Sequence, residues 1–231
     1  MGPTFAADPR CAGASSLREI ANDFTATVLA NTDPTISAVG SRSRPRAEQF
    51  AARHGIRGVA DSYEELVSRA DVDIVYGAAP HRQHHALAML AIATGKHVLV
   101  EKLIEISARE AEELAGAAQA AGVFAAEAMW TRYLPQFDVL AQVLDRGDLG
   151  EVRLATADVG WQVAPDAPPR FFDREKGGGA ALDMGVYGYW FAHFAIGQAE
   201  TVRALVQTHA PPGSTSSPSS RLRAPAVARR A

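Results

Sequence analysis

The sequence is poor in cysteine, in long apolar runs and in excess charge of either sign. Its single cysteine, Cys11, excludes an intramolecular disulfide, and no apolar run approaches the ~20 residues that a membrane-spanning helix needs. The first residues lack the basic and then apolar order of a secretory signal. A formal net charge of −3 over 231 residues implies no nucleic-acid partner. These features predict a cytoplasmic globular protein.

Metal and thiol chemistry have little support from the sequence. His81, His84 and His85 cluster, but carboxylates or thiolates at ligand spacing are missing around them. Cys11 lies among small residues, with no nearby histidine to activate its thiol. We therefore predict neither a metal site nor a cysteine nucleophile.

Apolar runs alternate with helix signals between residues 35 and 126. Ser62 with Glu65, and Ser107 with Glu110, have the spacing of a serine N-cap and its acidic partner. Strands separated by helices of this length predict a doubly wound α/β domain with a parallel sheet and right-handed crossovers. The predicted strands are 35–39, 73–79, 96–100 and 123–126, and the predicted helices are 45–54, 62–70, 84–94 and 107–121.

The pattern changes after residue 130. A helix over 134–146, a half-exposed strand over 152–160, a helix over 183–196 and a strand over 201–208 predict part of a second α/β domain. Further strands would be needed to complete its sheet. The end of the chain is rich in Ser and Pro without periodicity, which predicts disorder.

The apolar run at 96–100 ends in two opposite charges, Glu101 and Lys102. The carboxyl ends of parallel strands form the ligand crevice of open α/β sheets, so a lysine there is positioned to meet a substrate. The alternative is a solvated lysine paired with Glu101. Asp183 and Tyr187 favour the functional interpretation, because residues four apart on a helix share one face. A carboxylate and a phenol beside a lysine suit proton transfer.

Four motifs, in this order, resemble those of the Gfo/Idh/MocA oxidoreductases. They are Ala79-Pro80-His81-x-x-His84, Gly-Lys-His-Val-Leu-Val-Glu-Lys at 95–102, Glu-Ala-Met-Trp-Thr-Arg at 127–132, and Gly-Gly-Gly-x-x-Leu-Asp-Met-Gly-Val-Tyr at 177–187. The third motif, and a tyrosine rather than a histidine four residues after Asp183, most resemble the branch of dimeric dihydrodiol dehydrogenases and NADP-dependent xylose dehydrogenases. The resemblance covers roughly residues 20–208.

This resemblance implies a Rossmann-like NAD(P)-binding domain over 20–130 and a partial C-terminal substrate and dimerisation domain over 131–208. A degenerate segment over 1–19 and a disordered tail over 209–231 would flank them. The implied reaction is hydride exchange between a nicotinamide and a carbinol carbon of a sugar or cyclic dihydrodiol. Tyr187 would remove the hydroxyl proton. Lys102 would favour the phenolate form of Tyr187 and hydrogen-bond the substrate oxygen, and Asp183 would orient the lysine or the substrate.

The choice of cofactor is predicted from the end of the second strand. An acidic residue there would accept hydrogen bonds from the adenosine ribose and repel a 2′-phosphate. This chain has Ser41 and Arg42 instead, which favours NADP over NAD. The alternative is an ordinary polar turn.

The resemblance also implies contacts to the nicotinamide and to the substrate. His81, expected beside the nicotinamide, alternatively caps the helix that begins near residue 84. Trp130, Arg132 and Phe171 resemble residues of the substrate pocket, although aromatic residues here alternatively pack in the core. The predicted cofactor-binding residues at this place are Ala79, Pro80, His81, Glu101 and Lys102.

The N-terminus departs from the family pattern. Ser16 and Arg18 occupy the places of the first two glycines of the phosphate-binding loop, and no apolar strand precedes them. Those glycines let the backbone approach the pyrophosphate, so the sequence predicts a lost first strand and a lost pyrophosphate cradle. Leu103 in place of the usual proline, and Ala79 in place of the usual threonine, are local changes.

The resemblance stops after residue 208, which leads to the hypothesis of a truncated or frame-shifted chain with unrelated ends. The family implies a homodimer formed through its C-terminal sheet, and the shortage of strands leaves this assembly open. Two other functions also stay open. One is a non-catalytic remnant, and the other is a structural partner that completes its sheet with an intact paralogue.

Overall fold

The structure is a computed structural model that describes residues 11–15, 19–33, 35–160 and 178–203. The chain divides into two units, Met1–Ala128 and Met129–Ala231. The first unit contains a six-stranded sheet in the order β3-β2-β1-β4-β5-β6, and all its pairings are parallel. The predicted parallel sheet is therefore confirmed. Its strands are β1 Cys11–Ser15, β2 Ile36–Gly40, β3 Gly58–Ala60, β4 Ile74–Ala78, β5 His97–Glu101 and β6 Ala125–Ala128.

The helices of the first unit begin where the sequence supplies caps. Ser62 Oγ accepts a hydrogen bond from the Glu65 N–H at 3.0 Å, and Ser107 Oγ accepts one from the Glu110 N–H at 3.3 Å. Both predicted N-caps are confirmed. None of the described helices is long and apolar enough to cross a bilayer. The helices are α1 Glu19–Asn31, α2 Arg44–His54, α3 Tyr63–Ser68, α4 His84–Ala93 and α5 Ala108–Ala121.

Two apolar clusters cover the two faces of the sheet. Two neighbouring residues of β4 belong to different clusters. Val75 packs with residues of α3, α4 and α5, whereas Tyr76 packs with residues of α1 and α2. Successive side chains of a strand point to opposite faces, so helices lie on both sides of the sheet. The domain is doubly wound, as the alternation of strands and helices predicted.

The predicted loss of the first strand is wrong. Cys11–Ser15 forms β1, which pairs with β2 on one side and with β4 on the other. The prediction depended on an apolar run, but a strand with a neighbour on each side is held by the hydrogen bonds of its backbone N–H and C=O groups. The positions expected for the glycine loop, Ser16 and Arg18, lie outside the described residues, so the lost pyrophosphate cradle stays a prediction.

The second unit consists of short helical elements in its described part. A 3-10 turn at Trp130–Tyr133 precedes α6 Pro135–Asp145, and α7 Ala180–Asp183 precedes α8 Gly185–Ile196. Phe137 of α6 contacts the rings of Trp190 and Phe194 of α8, with centroids 4.9 and 6.0 Å apart. This aromatic cluster joins α6 to α8.

Two predictions for the second unit are corrected. Residues 152–160 form no strand, because a strand needs a partner for its backbone groups and no described segment of this unit pairs with them. The helix predicted over 183–196 is divided at Met184, which separates α7 from α8. Of the strand predicted over 201–208, residues 201–203 are described and extend no strand. Its remainder and the predicted disordered tail lie outside the described residues.

Candidate functional site

The strand order indicates that a ligand would bind at the carboxyl ends of the strands. The chain passes from β1 outward to β2 and β3 and then returns to β4 on the other side of β1. In open α/β sheets a ligand binds outside the carboxyl ends of the strands where the order reverses, which is here between β1 and β4. The predicted residues of the first unit follow these carboxyl ends: Ser41 and Arg42 after β2, Ala79, Pro80 and His81 after β4, and Glu101 and Lys102 at the end of β5.

The end of β2 carries a hydroxyl and a guanidinium group. Ser41 is 6% exposed, and its Oγ accepts a hydrogen bond from the Ser43 N–H at 3.3 Å. Arg42 is exposed and interacts with Tyr63, whose pKa is raised by burial while Arg42 opposes that rise. The nearby carboxylate of Asp61 pairs with Arg44. An exposed cationic side chain therefore directly follows the buried Ser41 after β2.

The turn after β4 runs along a buried histidine. Ala79 is buried, and a 3-10 turn at His81–Gln83 leads into α4. The N-cap of α4 is Gln83, so the capping role considered for His81 is wrong. The ring of His81 lies edge-on to the ring of His84, with centroids 5.6 Å apart. His81 thus packs at the strand end, beside a residue that is itself 2% exposed.

The carboxylate of Glu101 is held within the protein. Its Oε1 accepts a hydrogen bond from the Tyr76 hydroxyl at 2.6 Å, and its Oε2 accepts one from the Lys102 N–H at 3.2 Å. Phe24 of α1 stacks on Tyr76 with centroids 3.8 Å apart. Burial raises the pKa of Glu101, and the Tyr76 hydrogen bond opposes that rise. Glu101 therefore connects β4 to the backbone that carries Lys102.

Side chains also hold the residues that follow Lys102. Glu127 of β6 accepts a hydrogen bond from the Ile104 N–H at 2.8 Å, and its pKa is raised by burial and by the charge of Glu101. Glu105, 5% exposed, lies 3.2 Å from His85 Nδ1. The Lys102–Leu103 peptide bond is cis. The backbone beyond β5 is thus fixed from β6 and from α4.

In the second unit, the structure brings two predicted residues together. Trp130 Nε1 donates a hydrogen bond to Tyr187 Oη at 2.9 Å, and the two rings meet edge to face with centroids 6.1 Å apart. Asp183 is the last residue of α7 and Tyr187 lies in the first turn of α8. Arg132 pairs with Asp138 at 3.2 Å. The remaining predicted pocket residue, Phe171, lies outside the described residues.

The sequence did not identify three residues that shape the site. Tyr76 lies within the apolar run of β4, and its hydroxyl is the feature that could have indicated a hydrogen-bond partner at the site. Glu127 belongs to the motif at 127–132, and its carboxylate at a strand end matches that of Glu101. His84 was assigned to a motif and to a helix start, but not to the site. The described residues contain no group of three or more His, Cys, Asp or Glu side chains arranged to hold a metal ion.

Comparison with protein families gives matches over both units. Residues 12–128 match the model of an oxidoreductase family with an NAD-binding Rossmann fold, and residues 137–226 match the GFO/IDH/MocA C-terminal domain. The first match begins inside β1, which agrees with the presence of that strand.

Individual proteins are also similar to this chain. The trans-1,2-dihydrobenzene-1,2-diol dehydrogenases of Homo sapiens and Macaca fascicularis are each 38% identical to it over 187 residues, which is 80% of this chain and 55% of theirs. A crystal structure of a 3-ketoreductase from Actinomadura kijaniata, in complex with NADP and TDP-benzene, has a TM-score of 0.75 and 30% identity, covering 86% of this chain and 60% of that chain. The chain spans about half the length of the curated relatives it matches.

Proposed function

Because the chain belongs to the GFO/IDH/MocA family of oxidoreductases, we propose that it exchanges a hydride between NADP and a carbinol carbon of a sugar or a cyclic dihydrodiol. The observation that carries this proposal is the position of Lys102 directly after β5, at the carboxyl edge of a sheet whose strand order reverses between β1 and β4. That edge is where open α/β sheets bind dinucleotides and present substrates to them.

The residues of the chain supply the proton chemistry. Tyr187, as the phenolate, accepts the proton of the substrate hydroxyl and acts as the general base. Lys102 donates a hydrogen bond to the substrate oxygen and stabilises the charge that develops on it, and Asp183 orients the lysine or the substrate. A nicotinamide held at the carboxyl end of the sheet would supply the acceptor of the hydride from the carbinol carbon, or its donor in the reverse direction.

The surroundings of Tyr187 support its role. The indole N–H of Trp130 already donates to the phenol oxygen at 2.9 Å. An indole nitrogen is a donor only, so the Tyr187 oxygen is the acceptor in this bond. A donor aimed at this oxygen stabilises the phenolate, which is the form that accepts the proton of the substrate.

The residues of the first unit fit a dinucleotide cofactor. Ser41 and Arg42 follow β2, where the adenosine ribose of a bound dinucleotide would lie, and the guanidinium of Arg42 suits a 2′-phosphate. Ala79, Pro80 and His81 follow β4 and would face the nicotinamide. NADP rather than NAD is therefore the proposed cofactor, and a cytoplasmic location completes the proposal.

Binding of reduced cofactor and turnover of two substrate classes test the proposal. NADPH emission is titrated with the full chain, and saturable binding is expected. Turnover is then measured with a panel of aldoses and with trans-dihydrodiols. Tyr187→Phe is expected to lower kcat by about a hundredfold or more, as loss of a general base does, while NADPH binding persists.

A matched variant controls for the loss of a tyrosine hydroxyl on the same helix. Tyr189 lies two residues further along α8 and is 42% exposed, so Tyr189→Phe is expected to keep wild-type kcat. Absence of saturable binding of NADPH and NADH at millimolar concentration would contradict the proposed function and favour the non-catalytic remnant. Full turnover by Tyr187→Phe would contradict the role of Tyr187. Size-exclusion chromatography measures whether the chain forms the homodimer that the family resemblance implies.

A further inference from the structure

His84 connects the ends of β4 and β5 through its two ring nitrogens. The side chain is 2% exposed and stands at the first residue of α4. Its Nε2 lies 2.8 Å from the carbonyl oxygen of Ala79, and its Nδ1 lies 2.8 Å from the carbonyl oxygen of Leu103. Ala79 directly follows β4, and Leu103 directly follows Lys102. One buried ring thus contacts both strand ends that carry predicted site residues.

The identity of the acceptors limits where the ring holds its proton. Carbonyl oxygens only accept hydrogen bonds, and a neutral imidazole has one N–H. Burial lowers the pKa of His84, so burial opposes a second proton, whereas the backbone groups of Leu103, Ala79 and Ile104 favour one. A proton on Nδ1 is donated to the Leu103 carbonyl, whereas a proton on Nε2 is donated to the Ala79 carbonyl.

The backbone on either side of Leu103 is held by carboxylates. Glu101 accepts from the Lys102 N–H at 3.2 Å, and Glu127 accepts from the Ile104 N–H at 2.8 Å. Both of these contacts fix amide N–H groups. The Leu103 carbonyl belongs to the same peptide group as the Ile104 N–H, so Glu127 holds this peptide at its N–H and His84 contacts it at its carbonyl oxygen.

We propose that His84 is a positioning residue for Lys102, with Nδ1–H donating to the Leu103 carbonyl and thereby fixing the backbone that presents the lysine amine. This role rests on the proposed function, in which Lys102 binds the substrate oxygen. A shift of about 1 Å in a catalytic group is enough to lower a rate by a hundredfold. Loss of the His84 contact is therefore expected to displace the Lys102 amine and to lower kcat.

The small number of lysines makes Lys102 directly observable. The lysines of the chain are Lys96, Lys102 and Lys176. Reductive 13C-methylation keeps their charge and gives each one an NMR signal, and Lys102→Arg identifies the signal of Lys102. This signal reports the surroundings of the amine without any need for turnover.

Three variants separate positioning from general stability. His84→Leu removes both ring contacts. His84→Asn retains a donor on the atom that corresponds to Nδ1. His97→Leu is the matched control, because His97 lies at the amino end of β5 and accepts a hydrogen bond from the Phe124 N–H at 2.9 Å, far from the carboxyl edge.

The expected result is a moved Lys102 signal in His84→Leu, a restored signal in His84→Asn and an unchanged signal in His97→Leu. kcat is expected to fall at least about tenfold in His84→Leu and to recover in His84→Asn, because one lost hydrogen bond to a positioned group has this effect. A folded His84→Leu protein with an unmoved Lys102 signal and kcat within about twofold of wild type overturns the proposal.

A measurement on the unmodified chain keeps the proposal testable if His84→Leu does not fold. In 15N-histidine-labelled protein, His84 is expected to carry its proton on Nδ1, in slow exchange with solvent. Protonation on Nε2 alone overturns the proposal, because the Leu103 carbonyl would then have no donor. Lack of turnover with every sugar and diol contradicts the proposed function instead, since neither NMR measurement depends on activity.

Discussion

The indole of Trp130 donates a hydrogen bond to the phenol oxygen of Tyr187 over 2.9 Å. Trp130 comes from the 3-10 turn that opens the second unit and is 54% exposed, while Tyr187 lies in the first turn of α8. A half-exposed tryptophan contributes little to a core, so its indole N–H is its more specific contribution. The family resemblance implies a pocket position for Trp130, with packing in the core as the alternative, and the structure adds a hydrogen bond to the proposed base.

Removal of this donor is expected to slow the reaction. A hydrogen bond to a group that carries charge contributes about 1.5–3 kcal/mol, which corresponds to a loss of about ten- to a hundredfold in kcat for Trp130→Phe. Steady-state kinetics with saturating NADP measure kcat for Trp130→Phe and for wild type. Trp190→Phe, which removes an indole from the aromatic cluster of α6 and α8, is the control and is expected to retain kcat. Equal losses in both variants would show that the effect is structural.

Cofactor selection is expected to reverse when the charge after β2 is reversed. Arg42→Asp replaces the guanidinium by a carboxylate that repels a 2′-phosphate and accepts from ribose hydroxyls. The Kd for NADP is expected to rise about ten- to a hundredfold, with NAD unchanged or tighter. Calorimetry measures both. Arg57→Asp, at an exposed position before the amino end of β3, controls for net charge, and tighter binding of NAD by the wild type would contradict the prediction.

The buried carboxylate of Glu127 is expected to make stability depend on pH. Its pKa is raised above the ordinary 4.5 by burial, so the folded state binds this proton more tightly than the unfolded state. The stabilisation is full below that ordinary value and is lost as pH rises through the raised value. Urea unfolding at a series of pH values measures the free energy of unfolding. Between the ordinary and the raised pKa, this free energy is expected to fall less steeply with pH for Glu127→Gln than for wild type.

A second carboxyl provides the control for this pH series. Glu112→Gln removes one exposed carboxyl group from α5 and changes the net charge by the same amount. Its free energy of unfolding is expected to change with pH as steeply as that of the wild type. Identical slopes for Glu127→Gln and wild type would show that Glu127 ionises alike in the folded and unfolded chain.

Two glycines are expected to respond in opposite directions to alanine. A Cβ at Gly58 would lie 2.6 Å from the Ser37 carbonyl oxygen and 2.8 Å from Ala38 Cβ, so Gly58→Ala is expected to separate β3 from β2 and to destabilise by about 1–3 kcal/mol. Gly116 lies in α5 with open space around it. Gly116→Ala is expected to stabilise by about 0.5–1 kcal/mol. Chemical denaturation measures both changes in the free energy of unfolding.

Local signals in the sequence predicted much of the first unit. The N-caps at Ser62 and Ser107 depend on residues three apart, and the parallel sheet follows from the alternation of strands and helices. β1 was missed, because its small residues have no apolar periodicity and its place depends on β2 and β4. The break at Met184 and the absence of a strand at 152–160 likewise depend on tertiary partners that no local pattern contains.

The candidate site was predicted to a similar extent. Lys102 at a strand end follows from the charge pair that ends β5, and the bond between Trp130 and Tyr187 joins two residues already assigned to the site. The contacts of His84 were not predictable in this way. Both are to backbone carbonyl groups, and a sequence pattern does not show which carbonyl groups a side chain meets.

The central place of β1 has a consequence for how the first unit unfolds. β2 and β3 lie on one side of β1, and β4, β5 and β6 lie on the other. Neither half can open along this line without breaking a ladder to β1, and each half without β1 has an exposed edge whose backbone groups lose their partners. Hydrogen exchange from β2 and from β4 should therefore need a larger free energy of opening than exchange from the edge strands β3 and β6.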